Sequence, residues 1–245
     1  MGISISRPAE RLRPRSGRRR AALVGAASLL FVAGGVVASR SSAFHARGIE
    51  VTGANHLRRA QIIAAAGISD ATNVLWLAEA KAERRLEAQP WVDGADVRIA
   101  FPLTVEIAVT ERSPVAVTTG GVVSLMAGDG TVLGSGKSPR GLPVIELGAT
   151  GSVEGPRPSP VGAARALGAM TPALRANVAR VRVLLDGTLE LRLRGGPTVA
   201  FGTPQDAGRK ARTIQRILAW AVAERTEIRT VSVVSPLAPA ATLVG

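Results

Sequence analysis

The order of elements between Arg47 and Val117 constrains this chain more than any other stretch of it. A short apolar strand, residues 48–52, is followed by the turn residues Gly53, Asn55 and His56. Residues 57–66 carry a helical pattern, with Ile62, Ile63 and Ala66 apolar, Asn55 as the cap and Gly67 as the stop. In a second helical stretch Ala78, Ala82 and Leu86 share one face, surrounded by Lys81, Glu83, Arg84, Arg85 and Glu87. Pro90 ends it, and Trp91 and Val92 return to the core. Two alternating segments close the unit: Val97, Ile99 and Phe101, then, past Pro102, Val105, Ile107 and Val109. This order predicts a half-buried hairpin covered by two helices.

At 245 residues the chain is long enough for one or two domains, and 46% apolar content argues against wholesale disorder. Aromatics are only 3%, so the cores must be built from Val, Leu, Ile and Ala. The absence of cysteine excludes structural disulfides, thiolate metal sites and cysteine nucleophiles.

A net charge of +13 invites a nucleic-acid reading, which its distribution rejects. Seven arginines fall in the first twenty residues against one acid, Glu10. The remainder holds 24 basic and 17 acidic residues, a much milder excess. A positive tail beside an apolar segment is an orientation signal for a membrane span. No zinc-finger or RNP signature accompanies it, so no nucleic acid is expected as a partner.

Residues 21–39 form an uncharged run between Arg18-Arg19-Arg20 and Arg40. As a helix its 19 residues would extend about 28 Å, close to the hydrocarbon thickness of a bilayer. A cleaved signal peptide has the same basic start, and small residues near Ala38 and Ala43 would permit cleavage. The length of the run and the immediate Arg40 favour a retained anchor. The expected topology is single-pass type II in the plasma (inner) membrane, with a cytoplasmic N-terminus and the C-terminal domains outside.

After Pro114 the chain turns to short strands. Residues 115–118 and 122–126 flank Gly120-Gly121, a hairpin turn, and Asp129-Gly130 precedes residues 131–133. Residues 142–147 read as a strand, followed by a Gly/Pro-rich connection and a helix over 161–170. Strands over 178–185, 189–193 and 198–201 come next, with a turn at Asp186-Gly187. The best helix outside the apolar run covers 205–224, with Ile214, Ile217, Leu218, Ala221 and Val222 apolar and Arg209, Lys210, Arg212 and Arg216 on its polar side. A strand of Thr230, Val231, Ser232, Val233 and Val234 and a Pro-rich tail end the chain.

These residues resemble one family, the bacterial division protein FtsQ, also called DivIB. The features shared are Ile49-x-Val51-x-Gly53-x-Asn55, Asn73-Val74-Leu75, Pro90-Trp91-Val92-x-x-Ala95-x-Val97-Arg98, Phe101-Pro102-Leu103-Thr104-Val105 and Glu111-Arg112-x-Pro114-Val115-Ala116. Farther on, Asp186-Gly187-x-Leu189, Phe201-Gly202, Lys210 with its helix and Val231-Ser232-Val233 keep the family's order, with Ser232 where the family commonly has an acid. The resemblance implies an α+β chain: an N-terminal transmembrane helix, a POTRA domain (β-α-α-β-β), then a larger, mostly antiparallel β-domain with flanking helices. The expected divisions are a basic tail at 1–20, the span at 21–39, a linker at 40–46, POTRA at 47–114, the β-domain at 115–235 and a tail at 236–245.

No chemistry competes with that reading. In Gly134-Ser135-Gly136-Lys137-Ser138 the first glycine of a P-loop is replaced by Thr131, and no helix start follows. His45 and His56 lack a second histidine at ligand spacing. The spaced acids Asp93/Asp96 and Glu224/Glu227 sit at a turn and a helix end, without the aromatic surface a sugar cleft wants. No catalytic residue, cofactor or metal is expected. The resemblance implies a non-enzymatic scaffold at the division septum. Its implied partners are FtsB-like and FtsL-like single-span coiled-coil proteins and septal peptidoglycan synthesis proteins. It places the FtsB/FtsL contact on the last strand, read as an exposed edge at Thr230, Val231, Ser232, Val233 and Val234. The alternative is an exported POTRA-type chaperone or assembly module of another envelope system. Such modules come in tandem or attached to a barrel, and neither pattern is in this sequence.

Overall fold

The structure, a computed structural model, describes residues 16–119, 122–136, 139–148 and 159–244, with side chains from residue 24 onward. Most of the basic tail, the Gly120-Gly121 turn, Lys137-Ser138 and the middle of the Gly/Pro-rich connection lie outside the described residues. Helix α1, Ser16–Ser39, contains the uncharged run. Among the described residues no helix is long and apolar enough to cross a membrane.

The POTRA unit follows the expected order: β1 Gly48–Thr52, α2 Arg59–Ala66, α3 Glu79–Glu87, β2 Val92–Ala100 and β3 Thr104–Glu111. Its sheet runs β1-β3-β2, parallel at β1/β3 and antiparallel at β2/β3. Ile49, Val97, Val105 and Ile107 point from it into a core closed by Ile62, Ala66, Ala82 and Leu86 of the two helices. Gly53 has φ +79°, and a Cβ there would run into the Val109 carbonyl, so this turn requires glycine.

Two expectations shift here. Arg58, not Asn55, is the residue before α2, and its N–H donates to Gln61 Oε1 at 2.9 Å. Phe101 does not continue the buried alternation of β2. It lies past the last ladder pair, Ala100 with Thr104, and is 99% exposed.

The β-domain is one mixed sheet of nine strands in the order β12-β11-β10-β9-β8-β7-β4-β5-β6. The strands are β4 Pro114–Thr119, β5 Ser124–Ala127, β6 Val132–Ser135, β7 Val144–Leu147, β8 Val178–Val183, β9 Leu189–Leu193, β10 Thr198–Gly202, β11 Ile228–Ser232 and β12 Ala240–Leu243. Helices α4 Pro160–Gly168, α5 Pro172–Asn177 and α6 Ala207–Ala223 complete the domain. Pro172 at the start of α5, capped by the Thr171 hydroxyl, opens a short helix between 170 and 178, where the sequence reading assigns no element. Strand residues alternate between two faces. Ala116, Met126, Ile145, Val181, Leu191 and Val199 share a core with Leu167 and Ile214 of the helices. Their neighbours Val117, Leu125 and Leu133 form a separate small cluster, against which Trp91 of the POTRA unit packs.

Candidate partner-binding edge of the sheet

The expected site strand differs from the observed one in both bounds and surroundings. β11 ends at Ser232, while Val233 continues toward β10 through its N–H, bonded to the Ala200 carbonyl at 2.9 Å. Val231 and Val233 are buried, Ser232 is half-buried, and Thr230 and Val234 are exposed. The strand is not an edge. β10 pairs with it in parallel, Val199 opposite Val231. β12 pairs with it antiparallel on the other flank, Thr230 opposite Thr242 and Ser232 opposite Ala240.

The physical reason lies in the tail. After Pro236 and Pro239 the chain doubles back, and residues 240–243 pair along β11, from Ser232 opposite Ala240 to Ile228 opposite Leu243. The Val244 N–H adds a bond to the Glu227 carbonyl at 3.0 Å. Among the described residues β12 therefore carries the free flank at this end of the sheet, and all four of its residues are exposed. An edge strand of this kind presents backbone N–H and C=O groups to an incoming strand.

The neighbouring strands are held by a buried lysine. Lys210 is only 2% exposed; its Nζ donates to the Phe201 carbonyl at 3.0 Å and the Thr203 carbonyl at 2.8 Å, 5.1 Å from the Phe201 ring centre. Burial pushes its ammonium below the ordinary range, with Asp206 acting against that shift. The sequence pattern had put Lys210 on the solvated side of its helix. The structure turns it inward, where the carbonyls of Phe201 in β10 and of Thr203 just past it accept from its ammonium. At the other end of α6, Leu193, Arg194, Pro197, Leu218, Arg225 and Ile228 line a cleft of about 590 Å³ that opens beside the start of β11.

A second constellation joins the two domains. The Glu111 carboxylate accepts from the N–H groups of His56 and Leu57, both at 2.8 Å. Partial burial raises its pKa, but the backbone donors of Leu57, His56 and Asn55 outweigh that, and the net position is below the ordinary value. The His56 ring stacks on Trp91, centres 3.6 Å apart. Arg112 Nε reaches Asp129 Oδ2 at 2.8 Å in the β5–β6 turn and lies 3.5 Å from Asp93 Oδ1. Asp129 is pulled in opposite directions too, and Thr131 with Arg112 holds it low against its burial. Asp96, the other half of the spaced acid pair, bonds Arg98 at 2.7 Å.

The family model described as "POTRA domain, FtsQ-type" matches residues 44–112. The cell division protein FtsQ of Streptomyces collinus is 30% identical over 214 residues, covering 82% of this chain and 81% of that protein. The chain belongs to the FtsQ family. FtsQ of Mycobacteroides abscessus is 27% identical over 169 residues, or 69% of this chain, and FtsQ of Mycolicibacterium smegmatis 27% over 192, or 78%. The matches span only 54% and 57% of those two longer proteins. Within this FtsQ-family chain, the Glu111-Arg112-x-Pro114 signature has a structural task. One residue ties down the loop before α2 and the next ties POTRA to the β-domain.

Proposed function

We propose that this chain is a non-enzymatic, single-span scaffold of the bacterial division machinery. It docks FtsB-like and FtsL-like single-span coiled-coil proteins on the free end of its nine-stranded sheet and links early division proteins to those that build septal peptidoglycan. The observation that carries the reading is the free flank of β12 in a chain of the FtsQ family. A partner strand added there would gain main-chain hydrogen bonds, and the adjacent cleft would accept one of its side chains. Helix α1 is the anchor in this reading, because it contains the uncharged run and follows a basic tail.

The test is co-purification of the detergent-solubilised full chain beside a version stopped after Ser235, which removes β12 and the segments on either side of it. The expected result is that the full chain brings down two small coiled-coil proteins and the shortened chain, still folded, brings down neither. Equal recovery by both would sink the β12 site. Recovery of neither by a folded full chain would sink the scaffold reading.

A further inference from the structure

The end of α1 is sewn into one end of the POTRA unit. The Ser39 carbonyl accepts from Asn73 Nδ2 at 2.7 Å, and Trp76 Nε1 donates to the Ser39 hydroxyl at 3.3 Å. His45 then pairs with Asn73 in an isolated bridge, and the Ala46 N–H donates to the Thr72 carbonyl at 2.9 Å. The Arg47 N–H donates to the Leu103 carbonyl, also at 2.9 Å. The segment leaving α1 is thus bonded to two loops, to the turn at Val74–Trp76 at the helix end and to the β2–β3 loop over 101–103 at Arg47.

Apolar side chains are exposed on both loops. Phe101 is 99% exposed, Trp76 59% and Leu75 54%. Single exposed apolar residues need no explanation, but a group of them at one end of a domain does. The aromatic census sharpens the point. The chain has four phenylalanines, three tryptophans and no tyrosine, and Phe31, Phe44, Trp76 and Phe101 all lie in α1 or at this end. Arg40 and Arg47 are exposed among them.

We propose that this end of the POTRA unit is a lipid-contacting surface, with Trp76, Leu75 and Phe101 seated among the headgroups and Arg40 and Arg47 meeting lipid phosphates. The inference rests on the reading of α1 as the membrane anchor. Tryptophan at the boundary between hydrocarbon and water gains from its apolar ring and its N–H together, and cations near the surface gain from anionic lipid. Because Trp76 is bonded to the last residue of α1, its height is set by the helix itself. The unit then stands on the bilayer rather than swinging from a linker. With nine residues in β2 at about 3.3 Å each, the joint at Trp91 and Glu111 is held up to about 30 Å above the surface.

The chain contains no cysteine, so a single nitroxide can be placed without other changes. The Phe101→Cys full-length chain, spin-labelled and reconstituted into vesicles of phosphatidylcholine and phosphatidylglycerol, is compared with a Val222→Cys control, whose site is 80% exposed in α6. Collision with molecular oxygen and with a water-soluble nickel complex reads immersion. The expected result is several-fold lower nickel accessibility at residue 101 than at residue 222, with oxygen accessibility raised. If the chain floats with the vesicles and the two sites respond alike, the POTRA end is clear of lipid and the inference fails while the anchor stands. If the chain does not float, the anchor reading fails and takes the inference with it.

Discussion

Arg112 Nε stands 2.8 Å from Asp129 Oδ2, and that bond reaches from the end of the POTRA unit into the first turn beyond β5. The same guanidinium donates through its Nη1 to the carbonyls of Pro90, at 3.0 Å, and Val92. Glu111, one residue earlier, turns to the opposite task and holds the loop ahead of α2. Adjacent residues of opposite charge therefore do not pair with each other. Each binds backbone that would otherwise be loose, which is why an acid and a base stand side by side at the end of β3.

Replacing Arg112 by alanine takes this donor from the Pro90 and Val92 carbonyls and leaves Asp129 with Thr131 alone. A loss of about 1–3 kcal/mol is expected from groups of this kind when only partly reached by water. Urea unfolding of the full chain measures it, and calorimetry should show the two domains melting less cooperatively. Lysine is not expected to restore the wild-type midpoint, since one ammonium cannot serve both carbonyls and Asp129. A variant with unchanged midpoint would mean that Trp91 packing alone joins the domains.

Glu111 gives a stability limb in acid. Its carboxyl sits below the ordinary 4.5 in the folded chain, so around that range the unfolded state binds more protons than the folded one. The stabilisation is full above the unfolded value and is lost as pH falls through the lower, folded one. Glu111→Gln is expected to be less stable than wild type at neutral pH and to show a shallower loss toward pH 3. Denaturant midpoints across that range decide it, and parallel acid limbs for both proteins would contradict the assignment.

Lys210→Met keeps the length and apolar stem of the side chain but leaves the Phe201 and Thr203 carbonyls unmet. The expected cost is about 1–3 kcal/mol, read as a lowered thermal midpoint. Because burial lowers the folded pKa of the ammonium, the unfolded state holds this proton more tightly. Wild-type stability should therefore gain from this group as pH climbs from the folded value toward 10.5, a gain absent in Lys210→Met.

The POTRA elements were legible because their signals are local: period-two alternation in β3, one apolar face on each helix, and Gly67 and Pro90 as stops. Strict alternation likewise marked β9 at Leu189–Leu193 with both ends right. What the sequence could not yield was decided by distant partners. Lys210 reads as solvated until the end of β10 is placed beneath it. Phe101 continues an apolar alternation in sequence but lies beyond the ladder in space. β12 was missed because Ala-Ala-Thr-Leu carries little β-branched or aromatic weight and sits after two prolines. Only its pairing with β11 makes it a strand, and with it the free flank moved one strand outward from Val231.

That shift sets apart two changes at the end of the sheet. Val231→Pro removes a ladder N–H from a strand paired on both flanks and puts a ring where a buried side chain packs. It is expected to lower the urea midpoint sharply, or to abolish the cooperative transition, before any partner is added. Stopping the chain after Ser235 removes the exposed outermost strand and the segment leading to it, in which Pro236 is half-buried, and should leave most of the stability in place. Comparing the two by urea unfolding followed at the far-ultraviolet signal separates folding from binding. If Val231→Pro unfolds like wild type, β11 tolerates a lost donor as an edge strand would, and the outward assignment of the flank is wrong.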